Sequence, residues 1–349
     1  MKKYLFIFLC CISCEKEIFI EFPIESQKIV VEGGIETDMP PYVILSKNQG
    51  YFDEINSSTY NNLFINDAEV IVWTLDENGI ADSVYLQLLP PPFDSIPIYT
   101  DINYLTSLTN PPYANLDGYN FSKSGKTYNL IVRWNNQEIT SQTTIPNPTP
   151  LDCLWVEKNE FSDLDYKFDI RAIYNDPADE QNNILIKYRK KIHWDVDTVN
   201  WILKDHKDEF MELMDAGADV LINGQRFETY FPHKGDGNIP TLPYNSSRYK
   251  KYQNDITGFE DSIYVPNDVV IIKFCQIDEP AVKFWRSIVR QFGSNGNPFQ
   301  EPLNIVSNIE GGYGGWTGFG AVYYKIPIID GYTTDSPLPL DSIEIIDVF

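Results

Sequence analysis

The chain has 349 residues, about twice the length of a typical compact domain, and this predicts two domains. Hydrophobic residues make up 43% of the chain, charged residues 22% and aromatic residues 14%, which excludes a disordered chain and favours short strands over a helical bundle. The net charge of -23 excludes nucleic-acid binding driven by phosphate contacts, because such an acidic surface releases no counterions from phosphates.

The start of the chain has the pattern of a bacterial lipoprotein signal. A short basic start is followed by an apolar run, Tyr4 to Ile12, that is too short to span a bilayer, and then by Ser13 and Cys14. The pattern predicts a signal peptide at residues 1–13, a tether at residues 14–27 and attachment of lipid to Cys14. A plain secretory signal with an ordinary cleavage site is the alternative.

The predicted tether continues with Glu15-Lys16-Glu17, which is similar to the surface-export signals of lipoproteins from the Bacteroidota. A solvated tether without any such signal explains the same residues. No later stretch approaches the roughly 20 apolar residues of a membrane-spanning helix. We therefore expect a body that is anchored to the outer membrane by lipid, on its periplasmic or its cell-surface face.

Residues 28–146 contain short apolar runs that alternate with polar residues, as antiparallel strands do. Asp76 to Gly79 and Asn135-Asn136 are turn signals between successive runs, and they predict two hairpins. The series predicts a β-sandwich domain of the immunoglobulin-like kind. Pro146 to Pro150 predicts an extended linker after it. The predicted strands are Lys28–Ile35, Tyr42–Leu45, Val70–Leu75, Ala81–Gln87, Tyr128–Trp134 and Glu138–Ile145.

Residues 151–349 predict a larger β-rich domain with one or two packed helices. Val269 to Ile277 has the composition of a buried strand, and Asp278 to Gly293 has one apolar face and the end signals of a helix. Residues 204–215 have an apolar spacing that suits a second, short amphipathic helix. Asn223-Gly224 predicts a further hairpin.

A glycine-rich stretch, Gly311 to Gly320, precedes a predicted strand at Ala321 to Ile326. A dinucleotide-binding loop needs a helix at that place, so the sequence disfavours a nucleotide site. We predict instead a structural turn, in which glycines let backbones approach closely while Trp316 and Phe319 pack inward. Tyr313, Trp316 and Phe319 are also the candidate contacts with a ligand or partner.

Two cysteines remain after those of the signal and Cys14, namely Cys153 and Cys275, and both lie in apolar, strand-like segments. Two buried free thiols are the favoured prediction. One disulfide, formed in an oxidising envelope, is the alternative. The sequence has no CxxC motif and no cluster of Cys and His with the spacing of a zinc site.

Asp176, Asp179 and Glu180 cluster on one predicted loop and are candidate calcium ligands. They lack the regular spacing of a calcium-binding loop, and acids on a solvated turn explain the same residues. The sequence also lacks a serine-hydrolase elbow, an HExxH motif and a P-loop. We therefore predict no catalytic residue, no metal and no cofactor, and we expect a protein that is not an enzyme.

In their order along the chain, several motifs resemble a Bacteroidota lipoprotein family known as domain of unknown function 4249. The resemblance implies an outer-membrane lipoprotein encoded near TonB-dependent receptors, with an accessory role in uptake, and it supplies no catalytic residues. The motifs are Cys14, Lys28–Ile35, Tyr42–Leu45, Gly125–Leu130, Thr144–Pro146, Ile222–Gly224 and Pro302–Gly320.

Our leading hypothesis is a lipid-anchored outer-membrane accessory or binding protein that partners a TonB-dependent receptor in nutrient uptake. A glycan-binding or glycan-cleaving surface lipoprotein is one alternative, with a stacking platform for sugars drawn from Trp134, Trp194, Trp201 and Trp316. A structural or adhesive component of the envelope is the other alternative.

Overall fold

The computed structural model describes residues 27–49, 56, 62–89, 97–107, 118–158, 168–178, 180–191, 195–197, 202–204, 211–232, 249–253, 260–264, 269–294 and 304–343. Over these residues the protein is mainly β, which confirms the predicted fold class. The helices described there are Ile102–Ser107 (α1) and Glu279–Ser294 (α2). The strands described there are Ile29–Glu36 (β1), Tyr42–Lys47 (β2), Glu69–Leu75 (β3), Ala81–Leu88 (β4), Ile98–Thr100 (β5), Thr127–Trp134 (β6), Gln137–Thr144 (β7), Cys153–Lys158 (β8), Phe168–Asn175 (β9), Asn183–Lys191 (β10), Asp195–Asp197 (β11), Ile202–Lys204 (β12), Glu212–Gly217 (β13), Arg226–Pro232 (β14), Tyr249–Gln253 (β15), Glu260–Tyr264 (β16), Val269–Ile277 (β17), Tyr313–Pro327 (β18) and Thr333–Thr334 (β19).

Both hairpins predicted in the first half of the chain are present. Strands β3 and β4 pair antiparallel around a turn in which Gly79 has φ 75°. Strands β6 and β7 pair antiparallel around Asn135 and Asn136, with φ of 48° and 60°. A two-residue hairpin turn needs this left-handed backbone, and asparagine tolerates it better than most side chains.

Strand β18 joins the two halves of the chain in one sheet, whose strand order is β13-β10-β17-β18-β1-β2-β5-β4-β3-β6-β7. Its first half pairs parallel with β1, where Val30 lies opposite Tyr313. Its second half pairs antiparallel with β17, where Gln276 lies opposite Gly320. The C-terminal part of the chain therefore completes a sheet that the N-terminal part begins.

One face of β18 contributes to two hydrophobic cores. The first core is built by strands β1 to β7 and also contains Ile309 and Trp316, which come from the predicted second domain. The second core lies between β10, β17 and β18 and a smaller sheet of order β14-β9-β8-β19, and Tyr324 and Ile326 belong to it. The immunoglobulin-like topology and the domain boundaries, 28–146 and 151–349, stay predictions.

Two predicted elements between residues 204 and 232 differ from the structure. Glu212–Gly217 forms strand β13 on β10, so the helix predicted for residues 204–215 is wrong there. Hydrogen bonding along a sheet edge outweighs the helical spacing of the Met and Leu side chains, since propensity is a weak determinant. Gly224 makes the expected left-handed turn, with φ 69°, but this turn leads into β14, which belongs to the other sheet. The hairpin prediction at Asn223-Gly224 is therefore wrong.

Candidate ligand-binding cleft

Helix α2 packs across the face of β10, β17 and β18 that points away from the second core. Beside this helix lies a cleft of about 1340 Å³, which is bounded by α2, β1, β13 and residues 304–314. The cleft is lined by Val30, Val31, Glu32, Lys187, Met211, Glu212, Leu213, Met214, Phe284, Trp285, Ile288, Val289, Asn304, Ile305, Ser307, Tyr313 and Gly314. Most of these side chains are apolar or aromatic, which is the usual character of a small-molecule site.

The start of helix α2 is fixed to the first half of the chain by one carboxylate. Asp278 Oδ1 accepts a hydrogen bond from the backbone N–H of Ala281 at 3.0 Å, which caps the helix. Asp278 Oδ2 accepts hydrogen bonds from Thr143 Oγ1 and from the backbone N–H of Thr144, both at 2.8 Å. Burial raises the pKa of Asp278. The helix predicted from this residue is confirmed, and the cap holds it against β7.

Residues 304–308 form one wall of the cleft, which Asn304, Ile305 and Ser307 line, and hydrogen bonds hold this segment in place. The backbone N–H of Val306 donates to Ser287 Oγ on α2 at 3.0 Å. Ser307 Oγ donates to the carbonyl of Gly314 at 2.9 Å. The Asn308 side chain accepts from the N–H of Trp316 at 2.9 Å and donates to its carbonyl at 2.7 Å. This wall is therefore tied both to the helix and to β18.

The glycines of β18 allow helix α2 to lie close to the strand. A Cβ atom at Gly315 would lie 2.4 Å from the ring of Phe284. Beside this contact, Trp285 Nε1 on the helix donates a hydrogen bond to Thr317 Oγ1 on the strand at 3.0 Å. A Cβ atom at Gly318 would lie 2.5 Å from the carbonyl oxygen of Thr144, so the predicted close approach of backbones is confirmed. The predicted turn is wrong, because Tyr313–Pro327 is a continuous strand.

Lys187 is the buried cation of the cleft. It lies on β10 in phase with Leu185, so that its side chain points towards α2, and it is 7% exposed. Its Nζ lies 4.7 Å from the ring centroid of Trp285 and 5.5 Å from that of Phe319. Burial, together with the nearby charge of Lys273, lowers the pKa of Lys187 to about 8. Aromatic faces replace part of the water that an ammonium group normally binds.

Lys273, the neighbouring buried amine on β17, already has a carboxylate partner. Its Nζ lies 2.5 Å from Glu36 Oε2, and the two side chains are 0% and 4% exposed. Tyr323 Oη donates a hydrogen bond to the same Glu36 oxygen at 3.0 Å. Glu32 and Glu212, the acids that line the cleft, are exposed to solvent. The buried carboxylate nearest to the two lysines is thus committed to Lys273.

The structure separates the three candidate contacts that the sequence indicated. Trp316 and Phe319 are both 0% exposed, so neither offers a surface to a ligand or partner from solvent. Trp316 fills the first core, while the Phe319 ring lies under the amines of Lys187 and Lys273. Tyr313 is 39% exposed and lines the cleft. Trp316 and Phe319 are buried because both faces of β18 are covered. The Trp316 face packs in the first core, and the Phe319 face packs against α2.

Among the remaining candidate residues, Cys153, Cys275 and Trp134 are described and do not line the cleft. Cys153 is half-buried and Cys275 is buried, and both are free thiols, so the disulfide alternative is wrong. Burial raises the pKa of Cys275 to about 12. Trp134 is 9% exposed, and its Nε1 donates to Asp67 at 2.7 Å. Trp194, Trp201, Cys14 and Glu15-Lys16-Glu17 lie outside the described residues.

The loop with candidate calcium ligands is described only in part, since Asp179 lies outside the described residues. Asp176 is 4% exposed and accepts a hydrogen bond from the backbone N–H of Gly224 at 2.9 Å, whereas Glu180 is exposed. Over the described part of the chain, no group of three or more His, Cys, Asp or Glu side chains is arranged to hold a metal ion.

Sequence reasoning missed Lys187, although the sequence carried a signal for it. Lys187 and Lys273 each interrupt an apolar strand at a position that shares a face with buried residues, Leu185 and Cys275 respectively. A lysine in the buried phase of a strand needs a partner or a polar cavity, because an isolated buried charge is costly. Such a residue is therefore a candidate functional group on physical grounds.

Comparison with protein-family models found none that matches this chain, and comparison with curated proteins also found no match. Among the described residues, no helix combines the length and the apolar character needed to cross a bilayer. The proposals below therefore depend on the sequence pattern and on the geometry of the cleft.

Proposed function

We propose that this protein is a lipid-anchored outer-membrane accessory protein that binds a small ligand in the cleft beside α2 and works with a TonB-dependent receptor in nutrient uptake. The observation that carries the binding role is the cleft itself. Its volume, about 1340 Å³, accommodates a drug-sized molecule, since typical ligand pockets measure about 300–1,000 Å³. A largely apolar lining with one buried cation is the arrangement that binds and orients a ligand.

The proposed location at the outer membrane is supported by the sequence at the start of the chain. The basic start, the short apolar run and Cys14 form the pattern of a lipoprotein signal. The order of motifs along the chain, which resembles the lipoprotein family named above, supports the receptor partnership. Lipid on Cys14 would hold the body at the membrane surface, where a ligand could pass to a receptor.

The rigid frame of the cleft supports binding over a purely structural role. Asp278 holds the start of α2 to β7, and Ser287 holds residues 304–307 to α2. Pre-formed walls reduce the ordering cost of binding, which is how a site gains affinity. Glycan stacking on Trp134 or Trp316 is not proposed, because both side chains are buried.

Co-purification tests the partnership. The lipidated protein, isolated from gently solubilised outer membrane, is expected to carry a TonB-dependent receptor that mass spectrometry identifies. Cys14→Ser is the matched control, because it removes the proposed lipid and should leave the protein outside the membrane fraction. Recovery of the wild-type protein from the membrane without any receptor would contradict the proposed partnership.

A cleft-filling variant tests the binding role. Val289→Trp places a large ring in the cleft, whereas Lys283→Trp places the same ring on an exposed position of α2. Growth that depends on the co-purified receptor is expected to fall in the first strain and to remain in the second. Equal growth of the two strains, with equal amounts of protein in the membrane, would count against a role for the cleft.

A further inference from the structure

We propose that the cleft ligand is a small amphipathic organic anion, whose carboxylate pairs with Lys187 while its apolar body lies against α2 and β13. The inference rests on the proposed binding function and names the chemistry of its ligand. Lys187 supplies the charge, Leu213 and Val289 supply apolar surface on β13 and α2, and all three line the cleft.

The first step is the charge that the fold leaves uncompensated. Lys187 and Lys273 are both buried on the same face of the sheet, and the buried carboxylate of Glu36 pairs with Lys273. Within the described residues, Lys187 makes contact with aromatic faces and forms no ion pair. A buried ammonium group without a counter-charge costs free energy. An anion that enters the cleft and pairs with it reduces that cost.

The second step weighs the acids that share the cleft. Glu32 and Glu212 also line it, and a cationic ligand could in principle pair with them. Both are exposed, so water screens their charge, and Glu212 already accepts a hydrogen bond from Tyr188 Oη at 2.8 Å. Coulomb interactions are several times stronger at a desolvated position than at a solvated one. Lys187 therefore determines the preferred sign of the ligand charge.

The third step is the shape and chemistry of the walls. Strand β13 contributes Leu213, which is half-buried and packs in the same cluster as the helix, and α2 contributes Ile288 and Val289. Ile305 is 51% exposed at the mouth, which leaves an apolar edge for a ligand longer than its charged head. These walls favour an alkyl or aromatic body over a polar sugar.

The test uses cis-parinaric acid, a fluorescent long-chain carboxylic acid, and its neutral methyl ester. Wild-type protein is expected to bind the acid about tenfold or more tightly than the ester, because only the acid pairs with the desolvated amine. Lys187→Met should reduce the affinity for the acid to that for the ester and leave the ester unchanged. Lys187→Arg should retain the preference, and Lys283→Met, at an exposed position that pairs with Glu279, should change neither affinity.

A pH series on the wild-type protein gives an independent reading. The charge of Lys187 is present at neutral pH and is lost as the pH rises through about 8 in the free protein. Affinity for the acid should therefore fall above that pH, while affinity for the ester stays level. The titratable and charged groups around Lys187 are Glu32 and Glu36 on β1, Lys273 and Cys275 on β17, and the buried Arg189 in the same phase of β10. Glu212 on β13 also lines the cleft and is hydrogen-bonded to Tyr188.

Each unfavourable outcome has a distinct meaning. Equal affinity of the wild-type protein for acid and ester would overturn the pairing with Lys187. High affinity for the ester would still support a ligand-binding role for the cleft. Binding of neither probe would overturn the amphipathic anion as the ligand class. The receptor partnership stands or falls separately, on co-purification. A folded Lys187→Met variant that keeps the full preference would also overturn the inference.

Discussion

Replacing Lys187 with methionine removes a buried positive charge while it keeps a side chain of similar length, and we expect the variant to be more stable than the wild type at neutral pH. Burial lowers the Lys187 pKa from its ordinary 10.5 to about 8. Each pH unit between those two values corresponds to about 1.4 kcal/mol, so keeping the ammonium charged inside the protein costs about 3 kcal/mol. The free energy of unfolding should rise by about this amount in Lys187→Met at pH 7.

The difference in free energy of unfolding between Lys187→Met and the wild type should depend on pH. Between about pH 8 and pH 10.5, the unfolded chain binds a proton at Lys187 that the folded chain has lost. Stability of the wild type therefore rises with pH over this window, because the unfolded state binds more protons there. The free energy of unfolding of the methionine variant does not rise in this way. Its excess over the wild type should therefore fall by about 3 kcal/mol from neutral pH to pH 10.5.

Guanidinium denaturation, followed by tryptophan fluorescence at a series of pH values, measures this difference. Both proteins share every other titratable group, so subtraction of one curve from the other isolates Lys187. Lys325→Met, at an exposed position on β18, is the matched control and should show no such trend. A gap between wild type and Lys187→Met that stays constant from pH 7 to about pH 10 would refute the proposed desolvation of the amine.

Three further variants or measurements test the frame around the cleft. Gly315→Ala should lower the free energy of unfolding by about 1–3 kcal/mol, because its Cβ would meet Phe284 at 2.4 Å. Asp278→Ala should cost about 2–3 kcal/mol in chemical denaturation, because the helix cap and two bonds to β7 are lost together. In a thiol titration with Ellman's reagent, Cys153 should react in the native protein, whereas Cys275, at 0% exposure and with its pKa raised to about 12, should react only after unfolding.

The chain offers matched controls for these measurements. Gly217→Ala, where an added Cβ meets nothing within 4 Å, should change stability by less than about 0.5 kcal/mol. Asp330→Ala, on an exposed loop, is the control for Asp278→Ala and should also change the free energy of unfolding by less than about 0.5 kcal/mol. A loss at Gly217 equal to that at Gly315 would mean that helix α2 does not impose the glycine. In the denatured mature protein, a third reactive thiol would argue against lipid on Cys14.

Local signals in the sequence were sufficient for several elements of the fold. Asn135-Asn136 and the turn before Ala81 predicted their hairpins, because a left-handed backbone limits which residues fit a tight turn. Helix α2 was predicted from its acidic start and its apolar face, which depend only on residues within the helix. Such features are encoded over a few neighbouring residues and need no knowledge of the rest of the chain.

Elements that depend on distant partners could not be predicted in the same way. Glu212–Gly217 forms a strand because β10 offers an edge for it, and that edge is about twenty-five residues away in the sequence. The glycines of β18 suggested a turn, yet their purpose is contact with α2 and β7, which only the folded structure brings near. Local composition gives no measure of such long-range pairing.

The sequence analysis named one residue, Tyr313, that the structure places in the lining of the cleft, and it did not single out Lys187. Tyr313 was named as a contact and lines the cleft, whereas Trp316 and Phe319 are buried because the strand turns them into the core and towards α2. Lys187 stands at the start of a basic run, Lys187 to Lys191, and local composition alone does not separate a buried lysine from the exposed kind. Its burial depends on helix α2, which follows nearly a hundred residues later along the chain.

The placement of β18 has a consequence for how the polypeptide reaches its native state. Val30 pairs with Tyr313, and Trp316 completes a core built by the first seven strands, so the earliest part of the chain stays incomplete until nearly the last part has been delivered. Contacts of such long sequence separation slow folding and leave apolar strand edges exposed in the meantime. During synthesis from the N-terminus, the first seven strands therefore remain without this partner until residues 309–316 have emerged, and a chaperone that shields them over this interval would matter more here than for a protein whose halves fold independently.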